Sequence, residues 1–308
     1  MSYLSRKKFI HTSMLAAGSM ALFGKNLQTT HTQQSVQGKY KFKLDYAPHF
    51  GMFENSAGKD VIDQLKFMAD QGFTSLEDNG MPSKPIEQQT KIGETMAKLN
   101  MRMGVFVVNM DTAWSPTLTT GSAESRDKFI QSCKAAVEVA KRVNAKWMTV
   151  VPGFYKRDMP IGYQTANVVE TLRRGAEIFE PHGLVMVLEP LSDTPELFLR
   201  YSDQTFEICK AVKSPSCKIL FDIYHMQRNE GNIINNIEKS WDEIAYFQIG
   251  DNPGRNEPTS GEVNYKNIFK YIKNKGYTGI LGMEHGNAKP GKEGESALIE
   301  AYKWSDSF

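Results

Sequence analysis

Residues 217–249 read CKILFDIYHMQRNEGNIINNIEKSWDEIAYFQI, and this stretch decides the predicted fold. Two short apolar runs, Lys218–Asp222 and Ile244–Ile249, enclose the amphipathic segment Ile233–Trp241. Apolar runs of this length are typical of strands that are covered on both faces, and a helix between two such strands is the usual crossover of a parallel pair. The stretch therefore predicts a strand–helix–strand unit with parallel strands.

The same alternation continues in both directions along the chain. The predicted strands are Lys41–Tyr46, Thr74–Glu77, Arg102–Val108, Lys146–Val151, Leu184–Glu189, Lys218–Asp222, Ile244–Ile249 and Gly279–Glu284. The predicted helices are Val61–Gln71, Pro85–Leu99, Glu124–Val143, Ala166–His182, Ser202–Val212, Ile233–Trp241, Tyr265–Lys275 and Glu293–Tyr302. Strict alternation of this kind predicts an α/β fold, a parallel sheet closed into a (β/α)₈ TIM barrel. Because no linker or internal repeat interrupts residues 39–308, we expect them to form a single catalytic domain.

Residues 1–38 differ in composition from the rest of the chain. A basic cluster at residues 6–8 precedes the weakly apolar run Phe9–Phe23, and a polar tract rich in Gln and Thr follows. This order is typical of an export signal, and the apolar run is too short and too polar for a transmembrane helix. The segment Ser5–Ile10 resembles the bacterial twin-arginine export motif, with Lys7 in place of the second arginine.

We therefore predict that residues 1–38 are an export signal and a polar linker, and that the protein is periplasmic after export by the twin-arginine or the Sec route. No cysteine follows the apolar run, so we expect no stable membrane anchor. The alternative is a disordered cytosolic tail, in which case the leader has no function and the protein is cytoplasmic.

The charge of the chain argues against a nucleic-acid partner. The formal net charge is +2, but residues 1–38 hold four basic side chains and no acid, and the remaining residues carry 33 basic and 35 acidic side chains. Nucleic-acid binding requires a basic surface, so we expect a small-molecule ligand and no nucleic acid. The sequence leaves the oligomeric state open, and a homo-oligomer is compatible with it.

The strand ends locate the expected active site, because TIM-barrel enzymes place their chemistry at the carboxyl ends of the strands. Glu189, Asp222, Gln248 and Glu284 each lie at the end of a predicted strand, after an apolar run. Carboxylates at the narrow mouth of a barrel repel one another unless a cation neutralises them. Three carboxylates and one amide oxygen form an oxygen-rich cage, and the pattern predicts a Mg²⁺ or Mn²⁺ site.

Each candidate residue also has a plainer explanation. A single acid at a strand end is more often a solvated loop residue or a helix N-cap, so the prediction depends on the whole set. His225 and His49 are candidate substrate-binding residues, and either could instead be structural. Arg255, in a turn after the seventh predicted strand, suits a substrate carboxylate or a surface ion pair. Glu77 and Asp78, at the end of the second strand, are expected to be peripheral.

Several blocks of the second half are specific to one family. They are LEP at residues 188–190, DIYHMQR at 222–228, QIGDNP at 248–253, RNEP at 255–258 and GME at 282–284. Together they closely resemble the hydroxypyruvate isomerase family, which lies within the xylose isomerase-like TIM barrel sugar isomerases and epimerases. The resemblance covers Leu184 to Glu284, and the first half of the chain matches only as alternating strands and helices.

The resemblance implies roles for matching residues. Glu189 and Glu284 match the family's catalytic glutamate pair. Glu189, Asp222, Gln248 and Glu284 match its metal-site positions, and Gln248 stands where the epimerase relatives carry histidine. The implied fold is the TIM barrel, and the implied cofactor is a divalent metal ion.

His225 and Arg255 match positions of the family that contact substrate. Three nearby residues depart from the family pattern. Ser192 stands where asparagine is usual, Thr259 where glycine is usual, and His285 where an aromatic residue is usual. None of these departures removes a proposed catalytic group.

The chemistry of the residues agrees with the implied function. Moving a carbonyl group between adjacent carbons requires a carboxylate base, stabilisation of the enediolate oxygen and a second group that returns the proton. We therefore expect an isomerase that interconverts a small hydroxy-keto acid and its aldehyde isomer. Hydroxypyruvate and tartronate semialdehyde are the pair that the family implies.

Two other functions stay open. Export favours a ketose isomerase or 3-epimerase that acts on an extracytoplasmic sugar with the same two-glutamate site. A secreted sugar-binding protein with a decayed site belongs to a different class, and the presence of both Glu189 and Glu284 argues against it.

Overall fold

The computed structural model describes residues 39–308, and the predicted export signal and polar linker lie outside the described residues. The parallel strands are β1 (Asp45–Ala47), β2 (Ser75–Leu76), β3 (Arg102–Met103), β4 (Trp147–Val150), β5 (Val185–Leu188), β6 (Cys217–Asp222), β7 (Ile244–Gln248) and β8 (Ile280–Gly282). Six of them pair in the order β1-β8-β7-β6-β5-β4, and β2 pairs with β3. Bridges between His49 and Glu77 and between Met103 and Ala145 join the two sheets at both edges. The strands therefore close into the predicted TIM barrel.

Helices follow the strands in the predicted alternation. They are α1 (Glu54–Ala57), α2 (Val61–Gln71), α3 (Ile86–Lys98), α4 (Ala123–Val143), α5 (Ile161–Phe179), α6 (Ser202–Val212), α7 (Ile223–Asn229), α8 (Ile233–Ser240), α9 (Tyr265–Asn274) and α10 (Gly291–Ser305). The sequence pattern does not predict α1 and α7, because helices this short do not show a helical period. Among the described residues, no helix has the length and apolar character needed to cross a membrane.

Several predicted boundaries differ from the structure, among them the third strand, which ends at Met103 instead of Val108, and two of the differences have a clear local cause. The first strand begins at Asp45 instead of Lys41, because the backbone N–H groups of Lys43 and Leu44 donate to the Asp306 carboxylate and not to a neighbouring strand. Helix α5 begins at Ile161, whereas the sequence pattern predicts that this helix begins at Ala166. Pro160, with φ −55°, precedes it and has the conformation that favours entry into a helix.

Burial on both faces of the strands explains their continuous apolar sequence. Val185 and Val187 of β5 belong to a small apolar cluster with Leu220 and Tyr246. Met186, between them, belongs to the much larger cluster that also contains helix residues. Successive side chains of a strand point to opposite faces, so β5 is covered on both sides and needs apolar residues at every position.

Thr259, in the loop between β7 and α9, has an unfavourable backbone conformation. Its φ is 77°, in the left-handed region, and its side chain is exposed. A β-branched residue is strained there, and glycine is not. This explains in physical terms why glycine is the usual residue of the family at this position.

We predict that Thr259→Gly raises the free energy of unfolding by about 1 kcal/mol, because it removes the strain of a positive φ without removing a buried contact. Urea unfolding monitored by circular dichroism measures the change. The matched control is Thr90→Gly, at an exposed position inside α3, where glycine is expected to lower stability. Equal or lower stability of Thr259→Gly relative to the wild type contradicts the prediction.

Candidate active site

The carboxyl ends of β5 to β8 bring the predicted acids together. Glu189 directly follows β5, Asp222 ends β6, and Glu284 lies two residues beyond β8. Ligand atoms of these three residues and of His225 lie within 4.8 Å of one another. Gln248 ends β7 and pairs in register with Asp222. The predicted four-residue set is therefore adjacent in the structure.

Asp222 serves the fold and the site with different oxygens. Its Oδ1 accepts hydrogen bonds from the backbone N–H of Tyr224, at 2.7 Å, and of His225, at 3.4 Å, and so caps α7. Its Oδ2 lies 3.3 Å from Nη2 of Arg255. The helix-cap explanation considered from the sequence is thus correct for one oxygen, and the other faces the remaining acids.

Arg255 is the cation at the centre of this group. Its Nη2 donates to Glu284 Oε2 at 2.7 Å and to Asp222 Oδ2 at 3.3 Å, and its Nε donates to the Glu284 backbone carbonyl at 3.2 Å. The guanidinium carbon lies 4.8 Å from the ring centroid of Tyr224. Burial acts to lower the pKa of Arg255, but the surrounding acids together raise it, so the guanidinium stays charged at every accessible pH. The surface ion pair considered from the sequence is replaced by a half-buried pair inside the site.

The carboxyl group of Glu284 has a raised pKa, and its neighbours shift that pKa in opposite directions. Burial raises its pKa to about 7, with Arg255 acting in the opposite direction and Asp222 adding to the rise. Asn79 also donates from Nδ2 to Oε1 of Glu284 at 2.8 Å. A carboxyl group with this pKa can accept or release a proton near neutral pH.

Glu189 lies in a drier environment than Glu284. The side chain of Glu189 is 7% exposed, whereas that of Glu284 is 26% exposed. Burial raises the pKa of Glu189 well above its ordinary value, and the neighbouring Glu284 and Asp222 raise it further. Both predicted catalytic glutamates therefore bind protons more tightly than a solvated carboxylate does.

The hydrogen bonds of His225 fix its tautomer. The backbone N–H of Ser192 donates to Nδ1 at 3.2 Å, and the Ser192 hydroxyl lies 2.8 Å from the same nitrogen. Nδ1 is therefore an acceptor, and the proton of the neutral ring is on Nε2. Burial lowers the pKa of His225, which favours this neutral form. Nε2 lies 3.5 Å from Asp222 Oδ2 and 3.9 Å from Glu189 Oε1, so its N–H points among the acids.

His49 and His285 are held by contacts outside the cage. The two ring nitrogens of His49 lie 2.8 Å from the Phe50 carbonyl oxygen and 3.1 Å from that of His285. His285 stacks on Tyr302, whose hydroxyl donates to Nε2 at 2.7 Å. Burial lowers the pKa of His285 to about 3, so the ring is neutral. The substrate-binding role of His49 stays a prediction.

Glu77 corrects the sequence analysis, which expected a peripheral residue. It is 2% exposed, and its carboxyl group accepts hydrogen bonds from Tyr246 Oη and Gln248 Nε2, both at 2.8 Å. Burial raises its pKa well above the ordinary value, with a further contribution from Glu284. Asp78, in contrast, forms an ion pair with Lys84, with 3.0 Å between Asp78 Oδ2 and Lys84 Nζ. Glu77 belongs to the layer directly beneath the predicted cage.

One cavity, of about 120 Å³, opens onto these groups. The residues that line it are Asn79, Val107, Met110, Ala113, Trp114, Val151, Glu189, Leu191, Asp193, His225, Arg255 and Glu284. Asn79 and Asp193 are not singled out by the sequence pattern, because each lies in a loop beyond a strand end. Trp114, which is 49% exposed, forms part of the cavity wall.

The donor set fits a divalent cation. Glu189, Asp222 and Glu284 supply carboxylate oxygens, and the fully buried Oε1 of Gln248 has no hydrogen-bond partner in the described part of the chain. Orphaned buried acceptors are uncommon in proteins, and hard divalent cations prefer oxygen ligands. These residues could hold a metal ion.

We predict that the metal-free protein loses stability as the pH rises from about 5 to about 8. Glu284 has a pKa of about 7 in the folded chain, above its ordinary value, so the folded state holds a proton that the unfolded chain has already released. Its contribution is complete below the unfolded pKa and is lost as the pH passes the folded pKa, at a rate of up to about 1.4 kcal/mol per pH unit. Urea unfolding in the presence of a chelator measures this slope.

Glu284→Gln is expected to reduce that slope, because the variant lacks this titrating group while Glu77 and Glu189, whose pKa values are also raised, remain. The exposed Glu207→Gln on α6 is the matched control and should keep the wild-type slope. Identical slopes for Glu284→Gln and the wild type contradict the prediction.

Comparison with known proteins places this site in a family. The family model described as xylose isomerase-like TIM barrel matches residues 65–308, which extends into the first half of the chain. Hydroxypyruvate isomerase of Escherichia coli strain K12 is 32% identical over 188 residues, which cover 59% of this chain and 69% of that protein. The 2-oxo-tetronate isomerase of Pectobacterium atrosepticum is 27% identical over 253 residues, 79% of this chain and 92% of that protein.

A solved structure supports the fold alone. The crystal structure described as AP endonuclease, family 2, from Brucella melitensis superposes with a TM-score of 0.71 at 20% identity, over 83% of this chain and 98% of that chain. Taken with the family model and the isomerase relatives, the strand-end site identifies the chain as an isomerase that belongs to the xylose isomerase-like TIM barrel family, within its hydroxypyruvate isomerase branch.

Proposed function

We propose that this enzyme interconverts a small hydroxy-keto acid and its aldehyde isomer by proton transfer through an enediolate, as a hydroxypyruvate isomerase does. The observation that carries the proposal is the pair Glu189 and Glu284, which line one cavity and both have raised pKa values. The names of the relatives in Escherichia coli and Pectobacterium atrosepticum support a keto-acid substrate.

The reaction has two net proton shifts, one between the two reacting carbon atoms and one between their oxygen atoms. One glutamate carboxylate removes a proton from the carbon that bears the hydroxyl group, and the electron pair forms the carbon–carbon double bond of the enediolate. The other glutamate, as a carboxylic acid, gives a proton to the former carbonyl carbon, and the hydroxyl proton moves to the former carbonyl oxygen. The pKa of Glu284, about 7, suits it to either role, because efficient general acids and bases titrate near the working pH, and the raised pKa of Glu189 favours its protonated form.

Two further residues suit the charge that develops on the substrate. The Nε2–H of His225 points toward the acids and can donate to a substrate oxygen. The Arg255 guanidinium, 29% exposed at the cavity, has donors for a substrate carboxylate beyond those it uses for Glu284 and Asp222. Fixed donors of this kind stabilise an enediolate oxygen more than they stabilise the neutral carbonyl group.

We propose that Glu189, Asp222, Gln248 and Glu284 hold Mg²⁺ or Mn²⁺. Hard oxygen donors favour these ions. When bound, the ion supplies Lewis-acid stabilisation of substrate oxygens. Because Nε2 of His225 carries the proton of the neutral ring, we assign His225 to substrate binding and not to the ion.

A ketose isomerase or 3-epimerase is the second candidate, and the outer wall of the cavity favours it. Trp114 is 49% exposed and lines the cavity together with Asp193. An exposed aromatic face can pack against the carbon skeleton of a sugar, and a carboxylate can accept hydrogen bonds from hydroxyl groups. The small volume of about 120 Å³ instead favours a substrate of a few carbons.

We predict that Glu189→Gln and Glu284→Gln each lower kcat by about 10²- to 10⁴-fold, because each removes one proton-transfer group. Turnover of hydroxypyruvate and of a ketose panel, with deuterium incorporation from heavy water into substrate and product, measures the loss. The exposed Glu207→Gln should retain wild-type turnover. Near-normal activity in either site variant, with the fold intact, contradicts the assignment.

Arg255→Lys distinguishes the two substrate classes. Lysine keeps the charge but lacks the planar pair of donors, so kcat/KM for a keto acid should fall about tenfold or more if the guanidinium binds the substrate carboxylate. An uncharged ketose has no carboxylate, and its kcat/KM should fall much less. Parallel losses for both classes contradict a carboxylate-binding role and favour the second candidate.

A further inference from the structure

Glu77 contacts one member of the proposed cation site, Gln248. Its Oε1 accepts from Gln248 Nε2 and its Oε2 accepts from Tyr246 Oη, both at 2.8 Å. Tyr246 and Gln248 are two residues apart on β7, so both side chains point into the barrel. Both donors are neutral, and the mechanism proposed above does not use Glu77.

The surrounding glycines show that the barrel is shaped around this carboxyl group. A Cβ atom on Gly282 of β8 would lie 1.7 Å from Glu77 Oε2. A Cβ atom on Gly104 would lie 2.3 Å from Tyr246 Oη. Real Cβ atoms do not approach other atoms so closely, so any larger residue at either position would displace Glu77 or its partner.

The contact with Glu77 determines how Gln248 presents its amide group. An amide has one donor end and one acceptor end, and the two oxygens of Glu77 accept from an O–H of Tyr246 and an N–H of Gln248. The donor end therefore faces Glu77, and the acceptor Oε1 is left fully buried without a hydrogen-bond partner among the described residues. Gln248 pairs in register with Asp222, so its side chain starts beside that of Asp222 in the row of strand ends that carries the acids.

We propose that Glu77 is a positioning residue, which fixes the orientation of the Gln248 amide and so makes its Oε1 a ligand for a divalent cation. The proposal rests on the cation site proposed above. Residues that orient metal ligands typically change metal affinity about 10- to 100-fold when they are replaced.

The test is Mn²⁺ binding to the metal-free protein, measured by isothermal titration calorimetry. Glu77→Gln should raise the Kd for Mn²⁺ about 10- to 100-fold, because the new amide can bind either end of Gln248 and no longer selects its donor end. Tyr246→Phe removes the other partner of Glu77, leaves the contact with Gln248, and should retain Mn²⁺ affinity. Far-UV circular dichroism and melting temperatures establish that the variants are folded.

A double-mutant cycle separates positioning from a general effect of charge. In a Gln248→Leu background there is no amide to orient, so Glu77→Gln should cause little of the loss that it causes in the wild type. An equal fold-change in both backgrounds overturns the proposal, because it would mean that Glu77 acts on the ion through its charge alone.

The remaining outcomes also decide the question. If Glu77→Gln does not fold, Glu77→Asp replaces it in the test. Aspartate keeps the carboxyl group but withdraws it from Gln248, so Glu77→Asp should also weaken Mn²⁺ binding. A Kd for Mn²⁺ equal to that of the wild type in folded Glu77→Asp would overturn the proposal. Wild-type protein that binds no Mn²⁺ overturns the cation site together with the role of Glu77. Strong wild-type binding that is unchanged in folded Glu77→Gln overturns the positioning role alone.

Discussion

Repulsion among buried carboxyl groups is the constraint on which this site depends. Glu77, Glu189, Asp222 and Glu284 lie at one end of a narrow barrel, and Arg255 contacts two of them. Two like charges about 4 Å apart repel by about 4 kcal/mol at the effective dielectric of a protein. The site therefore keeps protons on some of its acids or acquires further positive charge. Burial raises the pKa values of the three glutamates, the neighbouring acids raise them further, and the fit to a divalent cation follows from the same excess of negative charge.

The need for a positive charge among these acids explains why hydrogen bonds hold the loop between β7 and α9, which carries Arg255, in a fixed conformation. Asp251 is fully buried, and its two carboxylate oxygens accept from the backbone N–H groups of Gly261, at 2.9 Å, and Val263, at 3.0 Å. Its backbone carbonyl accepts from the N–H of Arg255 at 2.7 Å. A loop without such internal hydrogen bonds could not hold a guanidinium between two acids, since loops are the more mobile parts of a domain. The strain at Thr259 lies in this same loop.

The sequence was sufficient for the strand order and for the four-residue set, because a parallel barrel brings every strand end to the same edge. It failed for Glu77, whose role depends on Gln248, 171 positions away. A strand of two residues gives no periodic signal, and nothing in one sequence reports a contact over that separation. For the same reason the sequence does not indicate Asn79, whose partner Glu284 lies 205 positions further along the chain. Arg255 was found only as one of two alternatives, since its partners follow from the fold and not from its neighbours in the chain.

Proton transfer and charge balance are coupled in this arrangement through Arg255. When Glu284 takes up a proton, its attraction for Nη2 of Arg255 weakens, and the guanidinium is freer to pair with Asp222 or with an anionic substrate. When Glu284 releases the proton, the ion pair re-forms and stabilises the carboxylate. One guanidinium thus limits how far the pKa of Glu284 rises, which holds it near 7, and burial raises the pKa of Glu189 well above its ordinary value. Two glutamates with raised pKa values suit an isomerase, because one must donate a proton while the other accepts one.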